Sequence, residues 1–194
     1  MLALPFKRSQ KIHDSESLYE YAIGALARRM RTVAELKRLL RQKKISGDAD
    51  AIIEQVITRL KDQRYLNDTQ YAAAYTSIRR DSKFGKQRVI TDLRARGVHA
   101  DIIGKTVESA YEGTNEEQLA RDYLRKKRIT PPAKPRRDDL TARKQFDKET
   151  ARIFRTLIRA GFRSGTIIKV LKNFGADDET LSELESEESA QNQG

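Results

Sequence analysis

The 194-residue chain contains no cysteine and no tryptophan, and only two histidines, two methionines and four prolines. The lack of cysteine excludes a disulfide framework, a thiolate zinc site and a cysteine nucleophile, and suits a reducing compartment. Aromatic residues make up 7% of the chain, so the core it buries is aliphatic and thin. No stretch approaches the ~20 consecutive apolar residues that a membrane-spanning helix needs. The opening MLALPFKRSQKIHD has too short an apolar run for a secretory signal. These absences lead to the expectation of a soluble cytoplasmic protein that engages no membrane.

What is abundant is charge, at 35% of residues, with 39 Lys and Arg against 28 Asp and Glu. Seven of the acids (Asp177, Asp178, Glu179, Glu183, Glu185, Glu187 and Glu188) follow residue 176, where no base occurs. That leaves 39 bases against 21 acids before residue 177, a net +18. A body so charged attracts polyanions and acidic protein surfaces and speeds their encounter.

Apolar residues recur at helical spacing, as in Leu18, Tyr21, Ala22, Ala25 and Leu26, then Leu36, Leu39 and Leu40, then Ile52, Ile53, Val56, Ile57 and Leu60. Strand-like alternation is nowhere sustained, which predicts an all-α fold of helices about 10 to 16 residues long. Thr32 with Glu35 reads as a capping box and Asn115 with Gln118 as a second. Gly97 and Gly161 read as C-terminal caps.

Three segments share one design. Leu40-Arg-Gln-Lys-Lys-Ile45, Leu93-Arg-Ala-Arg-Gly-Val98 and Leu157-Ile-Arg-Ala-Gly-Phe162 each close a helix. Each is followed by an Ile-Ile pair: Ile52-Ile53, Ile102-Ile103 and Ile167-Ile168. The pattern predicts three tandem three-helix repeats over 16–66, 67–113 and 114–176, behind a flexible segment 1–15. Such small units bury little alone and stack on their neighbours into an elongated, curved array. Pro131, Pro132 and Pro135 mark 129–140 as an exposed, flexible basic loop. The acidic stretch 177–194 has too few apolar residues to fold and is expected to be disordered.

No catalytic, cofactor-binding or metal-binding constellation emerges. His13 and His99 lack neighbouring Cys, Asp or Glu at ligand spacing and read as surface residues. Gly85-Lys86 lacks the earlier glycine of a phosphate loop and has Gln87 where a magnesium-binding hydroxyl belongs. Glu108 and Glu112 read as solvated helix-face carboxylates. A non-enzymatic protein is expected.

The bases are the serious candidates, in two groups: Arg79, Arg80, Lys83, Lys86, Arg88, Arg94 and Arg96, and then Arg125, Lys126, Lys127, Arg128, Lys134, Arg136 and Arg137. The plainer reading of either group is a solvated face. Lys86 stands out because it opens a helix, where a cation opposes the dipole while the N–H groups favour an anion. Phe84 reads as a hydrophobic staple or as an aromatic contact for a partner. Tyr65-Leu66 reads as a packing joint between repeats.

The ordered motifs resemble the RecX family of recombination regulators. They are Tyr21-Ala-Ile-Gly-Ala-Leu-Ala-Arg-Arg29 with Thr32-Val-Ala-Glu-Leu-Lys-Arg-Leu-Leu40, Tyr65-Leu-Asn-Asp68 with Tyr71-Ala-Ala-Ala74, and Gly85-Lys-Gln-Arg-Val-Ile90 through Leu93-Arg-Ala-Arg-Gly-Val98. The resemblance covers about residues 17 to 175 and is most specific in the first two repeats. Asn67 stands where the family usually has Asp, and the proline-rich insertion and acidic tail extend the third repeat. What the resemblance implies is a modulator of the RecA recombinase that lodges in the groove of the RecA–DNA filament. It would limit strand exchange, ATP hydrolysis and co-protease activity in homologous recombination and DNA repair.

The residues lead to the same class, since a basic, non-catalytic helical array suits a long polyanionic groove. The partners expected are therefore the RecA filament and DNA through the basic face, with the chain itself a monomer. The rivals are a direct duplex binder of helix-turn-helix type and a helical scaffold for another acidic partner. Against the first, Ile52, Ile53, Val56, Ile57 and Leu60 are apolar where a reading helix needs polar side chains.

Overall fold

The computed structural model describes residues 15–136 and 138–191. Arg137 and His13 lie outside the described residues, as does all of the N-terminal segment 1–15 except Ser15. Among the described residues ten helices follow one another: α1 Ser15–Arg28, α2 Val33–Arg41, α3 Ala49–Asp62, α4 Asp68–Asp81, α5 Lys86–Ala95, α6 Ala100–Tyr111, α7 Glu116–Lys126, α8 Leu140–Arg159, α9 Ser164–Phe174 and α10 Asp178–Gln191. The first nine fall into three triples, so the fold is an all-α repeat. At 20 residues α8 exceeds the length expected from the sequence.

The helix boundaries obey the local chemistry. Thr32 caps α2 by accepting the Glu35 amide, and Asn115 caps α7 by accepting that of Gln118. Gly97 and Gly161 take positive φ, at 76° and 89°, which ends α5 and α8. The Thr32–Glu35 box is only half closed, because the Glu35 carboxylate turns to Arg96 at 2.7 Å.

Packing divides the chain into two units that do not follow the repeats. One runs to Ala72 and adds Leu93–Ile103; the other comprises Ala73–Asp92 and everything from Gly104 onward. In the first, α1 and α2 pack on α3 around Leu18, Ala22, Leu36, Leu40, Ile53, Ile57 and Leu60. Truncating one of these leucines to alanine costs about 2–5 kcal/mol. Leu66 belongs to this core while Tyr65 is exposed, so the Tyr65-Leu66 pair splits between packing and surface. In the second unit α7 and α8 pack on α9 around Leu119, Leu124, Ile153, Phe154, Leu157, Ile167 and Leu171.

A similar joint occurs once in each unit. In the first, the N-terminal turn of α2 meets the end of α5: the Thr32 hydroxyl donates to the Arg96 carbonyl at 2.6 Å, and Arg38 reaches the Ala95 carbonyl at 3.5 Å. A Cβ on Gly97 would run into the Ala34 Cβ. In the second, the Gly85 and Gln87 amides donate to the Ala160 and Gly161 carbonyls at 2.8 and 3.1 Å. A Cβ on Gly85 would overlap the Gly161 carbonyl.

One expectation for the C-terminal part is corrected. The acidic stretch after residue 176 forms α10, because Leu181 and Leu184, three residues apart, bury one stripe against α8 and α9. Asp177 accepts the Thr180 amide at its start, and acids in the first turn suit the dipole. Arg143 pairs with Asp177, and Lys172 with Asp178 at 2.5 Å. The proline-rich connection is mostly exposed but not detached: Pro132 is buried, and the Lys134 stem lies across Gly175 at the end of α9.

Candidate functional site

The second unit brings together two basic groups that are about 45 residues apart in the chain. Helices α4 and α7 end side by side: the Lys126 ammonium donates to the Asp81 carbonyl at 3.3 Å. Three aromatic rings of this unit touch in series. Phe84 and Tyr123 have centroids 5.4 Å apart, and Tyr123 and Phe162 are 6.1 Å apart. Arg79 sits 5.0 Å over the Phe84 ring and Lys127 5.8 Å over that of Tyr123. Such cation–π contacts are worth about 0.5–1 kcal/mol at exposed sites. Phe84 therefore packs across repeats within this unit, on Tyr123. The Tyr111 hydroxyl holds the turn by donating to the Phe84 carbonyl at 2.9 Å, and burial pushes its pKa up to about 12. Burial likewise raises that of Tyr123.

Arg80, Lys83, Arg125, Lys126, Lys127 and Arg128 all lie at or just past the ends of α4 and α7. Lys83 and Arg128 adopt φ of 66° and 55° in the positions where glycine usually ends a helix. Cations there also complement the negative ends of the helix dipoles. Lys83 has no ionic partner among the described residues. Arg125 pairs with Asp122 at 3.0 Å but remains 76% exposed.

Other candidates are engaged internally. Asp92, only 15% exposed, accepts from the Tyr75 hydroxyl at 2.7 Å and pairs with Arg79 at 3.3 Å and Arg88 at 3.0 Å. Arg80 donates to the Ala110 carbonyl near the end of α6 at 2.8 Å. Arg96 pairs with Glu35 in the first unit. Lys86 approaches Glu108 at 3.9 Å. The anion site expected at the mouth of α5 is not available, since the Gly85 and Gln87 N–H groups already meet carbonyls of the third repeat. Arg94 is exposed in the first unit. Arg136 is exposed in the connection before α8, where its carbonyl accepts the Asp139 amide at 3.2 Å.

In the first unit, Asn67 caps α4 through the Gln70 amide at 3.0 Å, while Asp68 accepts the Val33 amide at 2.9 Å and so caps α2. Burial pushes the Asp68 carboxyl above its ordinary value, against the lowering by the Val33 N–H and by Lys61. His99 lies exposed beside Asp101. Among the described residues no three His, Cys, Asp or Glu gather at metal-binding distance, and no helix is long and apolar enough to cross a membrane.

One group escaped the sequence reading. On α8, Lys144, Lys148, Arg152, Arg155 and Arg159 are all exposed. Their spacing of 4, 4, 3 and 4 residues keeps them on one face, and that period was the available signal.

A helical repeat with bases gathered at the joined ends of α4 and α7 and a row of exposed bases along α8 offers cationic surfaces to a partner. Family models described as "RecX, first three-helix domain" and "RecX, second three-helix domain" match residues 19–60 and 67–106. A regulatory protein RecX of Myxococcus xanthus is 32% identical over 174 residues, covering 85% of this chain and 89% of the relative. That of Geobacillus kaustophilus is 32% identical over 169 residues, covering 86% and 57%. The chain belongs to the RecX family of regulatory proteins. It covers 57%, 52% and 57% of the Caldanaerobacter subterraneus, Geobacillus thermodenitrificans and Geobacillus kaustophilus relatives. The crystal structure of RecX from Lactobacillus salivarius shares the fold, with a TM-score of 0.61 at 20% identity over 84% of this chain and 97% of that one.

Proposed function

We propose that this chain binds the RecA–DNA filament and restrains its recombinase, ATPase and co-protease activities, acting without catalysis of its own. The supporting observation is the convergence of two basic groups at the joined ends of α4 and α7, where Lys126 reaches the Asp81 carbonyl and the Phe84 and Tyr123 rings touch. Lys83, Lys126 and Lys127 are the bases assigned to an acidic protomer surface. Long-range attraction speeds such an encounter, and close charge pairs set its specificity.

Substoichiometric to equal amounts of the protein should lower DNA-dependent ATP hydrolysis by RecA. The triple variant Lys83→Gln/Lys126→Gln/Lys127→Gln should require at least about tenfold more protein for the same effect, equivalent to about 1.4 kcal/mol. Unchanged hydrolysis with the wild-type protein bound at low salt would defeat the reading. The helix-turn-helix alternative draws less support, because on the exposed face of α3 Glu54 and Arg59 are held in ion pairs with Lys37 and Glu16.

A further inference from the structure

The five bases on α8 form a second surface, distinct from the ends of α4 and α7. Relative to Lys144, the residues Lys148, Arg152, Arg155 and Arg159 fall within an arc of about 80° at 3.6 residues per turn, and the row is about 22 Å long. All five are exposed, and none has an ionic partner among the described residues. Their neighbours are engaged: Arg143 pairs with Asp147 and Asp177, and the Gln145 amide donates a hydrogen bond to Glu149 at 2.7 Å. The acids of α8 are thus engaged outside the row, leaving a uniform cationic line.

Uniform spacing carries a cost, since bases at i and i+4 repel one another by a few tenths of a kcal/mol. A ligand that supplies regularly repeated negative charge offsets that repulsion along the whole row. A protein surface is the poorer match, because interface centres are rich in aromatic residues and the row has none. Of the large apolar residues that are exposed, only Leu140 lies on α8, one turn before the row begins. A single-strand site is a poorer match too, because it uses aromatic platforms on which bases stack, and the row has none. Duplex nucleic acid presents a charge for every ~1.7 Å of its axis.

We infer that the exposed face of α8 is a duplex-DNA backbone site, in which Lys144, Lys148, Arg152, Arg155 and Arg159 meet phosphates without reading sequence. This assignment does not rest on the RecA reading. The row lies outside the residues matched by the two family domains. Its C-terminal end adjoins a cavity of about 210 Å³ that Arg155 and Arg159 line together with Glu187 and Glu188 of α10. Acids of the same chain therefore border the site, and Glu188 is held there by the Ser164 hydroxyl at 2.8 Å.

The test uses the full chain, a labelled 30-base-pair duplex of arbitrary sequence, and anisotropy titrations across a salt series. The variant Lys148→Gln/Arg152→Gln/Arg155→Gln should lower the slope of log affinity against log salt by about 2.7, at ~0.9 per phosphate contact. The wild-type ratio of affinities at 50 and 200 mM salt would then shrink about 40-fold. Lys144→Gln/Lys148→Gln, which is confined to the N-terminal half of α8, should lower the slope by about 1.8 and serves if the triple variant loses helicity. A second duplex of unrelated sequence should bind within about twofold of the first.

A slope change below one for both variants would overturn the assignment, as would a wild-type chain that fails to bind duplex at 50 mM salt. So would loss of RecA-filament association with duplex affinity unchanged, which would make the row a protein contact. The triple variant at Lys83, Lys126 and Lys127 separates the two readings. It should weaken filament association and leave the duplex slope within one unit of wild type.

Discussion

Replacing Gly161 by alanine should damage the second unit far more than the loss of a glycine does by itself. At φ 89° an alanine pays about 1–2 kcal/mol for the left-handed conformation. Its Cβ would also overlap the Arg88 amide nitrogen and lie 2.5 Å from the Arg88 Cβ. Relief of that overlap means pulling α5 away from the end of α8, and the Gly85 and Gln87 amides then lose the Ala160 and Gly161 carbonyls. Each lost hydrogen bond is worth about 0.5–1.5 kcal/mol, so the total comes to about 2–5 kcal/mol. Gly113→Ala is the matched control: it has φ 66° in the same unit and nothing within 4 Å of its Cβ, so only the conformational cost applies. Urea melts followed by circular dichroism measure both, and hydrogen exchange over residues 84–88 reports the joint itself. Equal destabilisation of the two variants, with exchange unchanged at the joint, would refute the reasoning.

Lys83→Gly should raise stability by about 1 kcal/mol, because it relieves φ 66°, while weakening filament association; melts and binding on the same sample check this opposed outcome. Asp92→Asn should cost about 1–3 kcal/mol, since Tyr75, Arg79 and Arg88 all converge on that carboxylate; urea midpoints measure it. Tyr111 is neutral in the fold up to about pH 12 but ionises near 10 when unfolded, so its stabilisation is complete below pH 10 and fades as pH rises toward 12. Tyr111→Phe should flatten that alkaline limb. The Thr180 amide and hydroxyl hold the Asp177 carboxyl below its ordinary 3.8, so its stabilisation is present above that pH and is lost as pH falls through the lowered value. Hydrogen exchange across α10 as pH falls from 4 should show it loosening first.

The repeat was legible because its marks are local. Thr32, Asn115, Gly97 and Gly161 act within a few residues of themselves, and Ile53, Ile103 and Ile167 are the buried members of their pairs. The fate of the bases was not legible. Arg88 reaches Asp92 one turn on, but Arg79 reaches the same carboxylate only because the turn at Gly85 folds α4 onto α5. The anion site imagined at Lys86 fails for the same reason: the carbonyls that occupy it lie more than 70 residues away in sequence. In the acidic tail, composition outweighed two signals that were present, the Leu181–Leu184 spacing and the Asp177 cap. The α8 row was overlooked because its bases are interleaved with apolar residues, and contiguous charge draws attention before periodic charge does.

Co-sedimentation with preassembled RecA–DNA filaments tests the central proposal most directly, with wild-type protein and the Lys83→Gln/Lys126→Gln/Lys127→Gln variant run beside unassembled RecA. The account predicts that wild-type protein pellets with filaments and that the variant needs at least about tenfold more to reach the same occupancy. Equal pelleting of the two proteins, or wild-type protein that stays in solution beside the filaments, would contradict it.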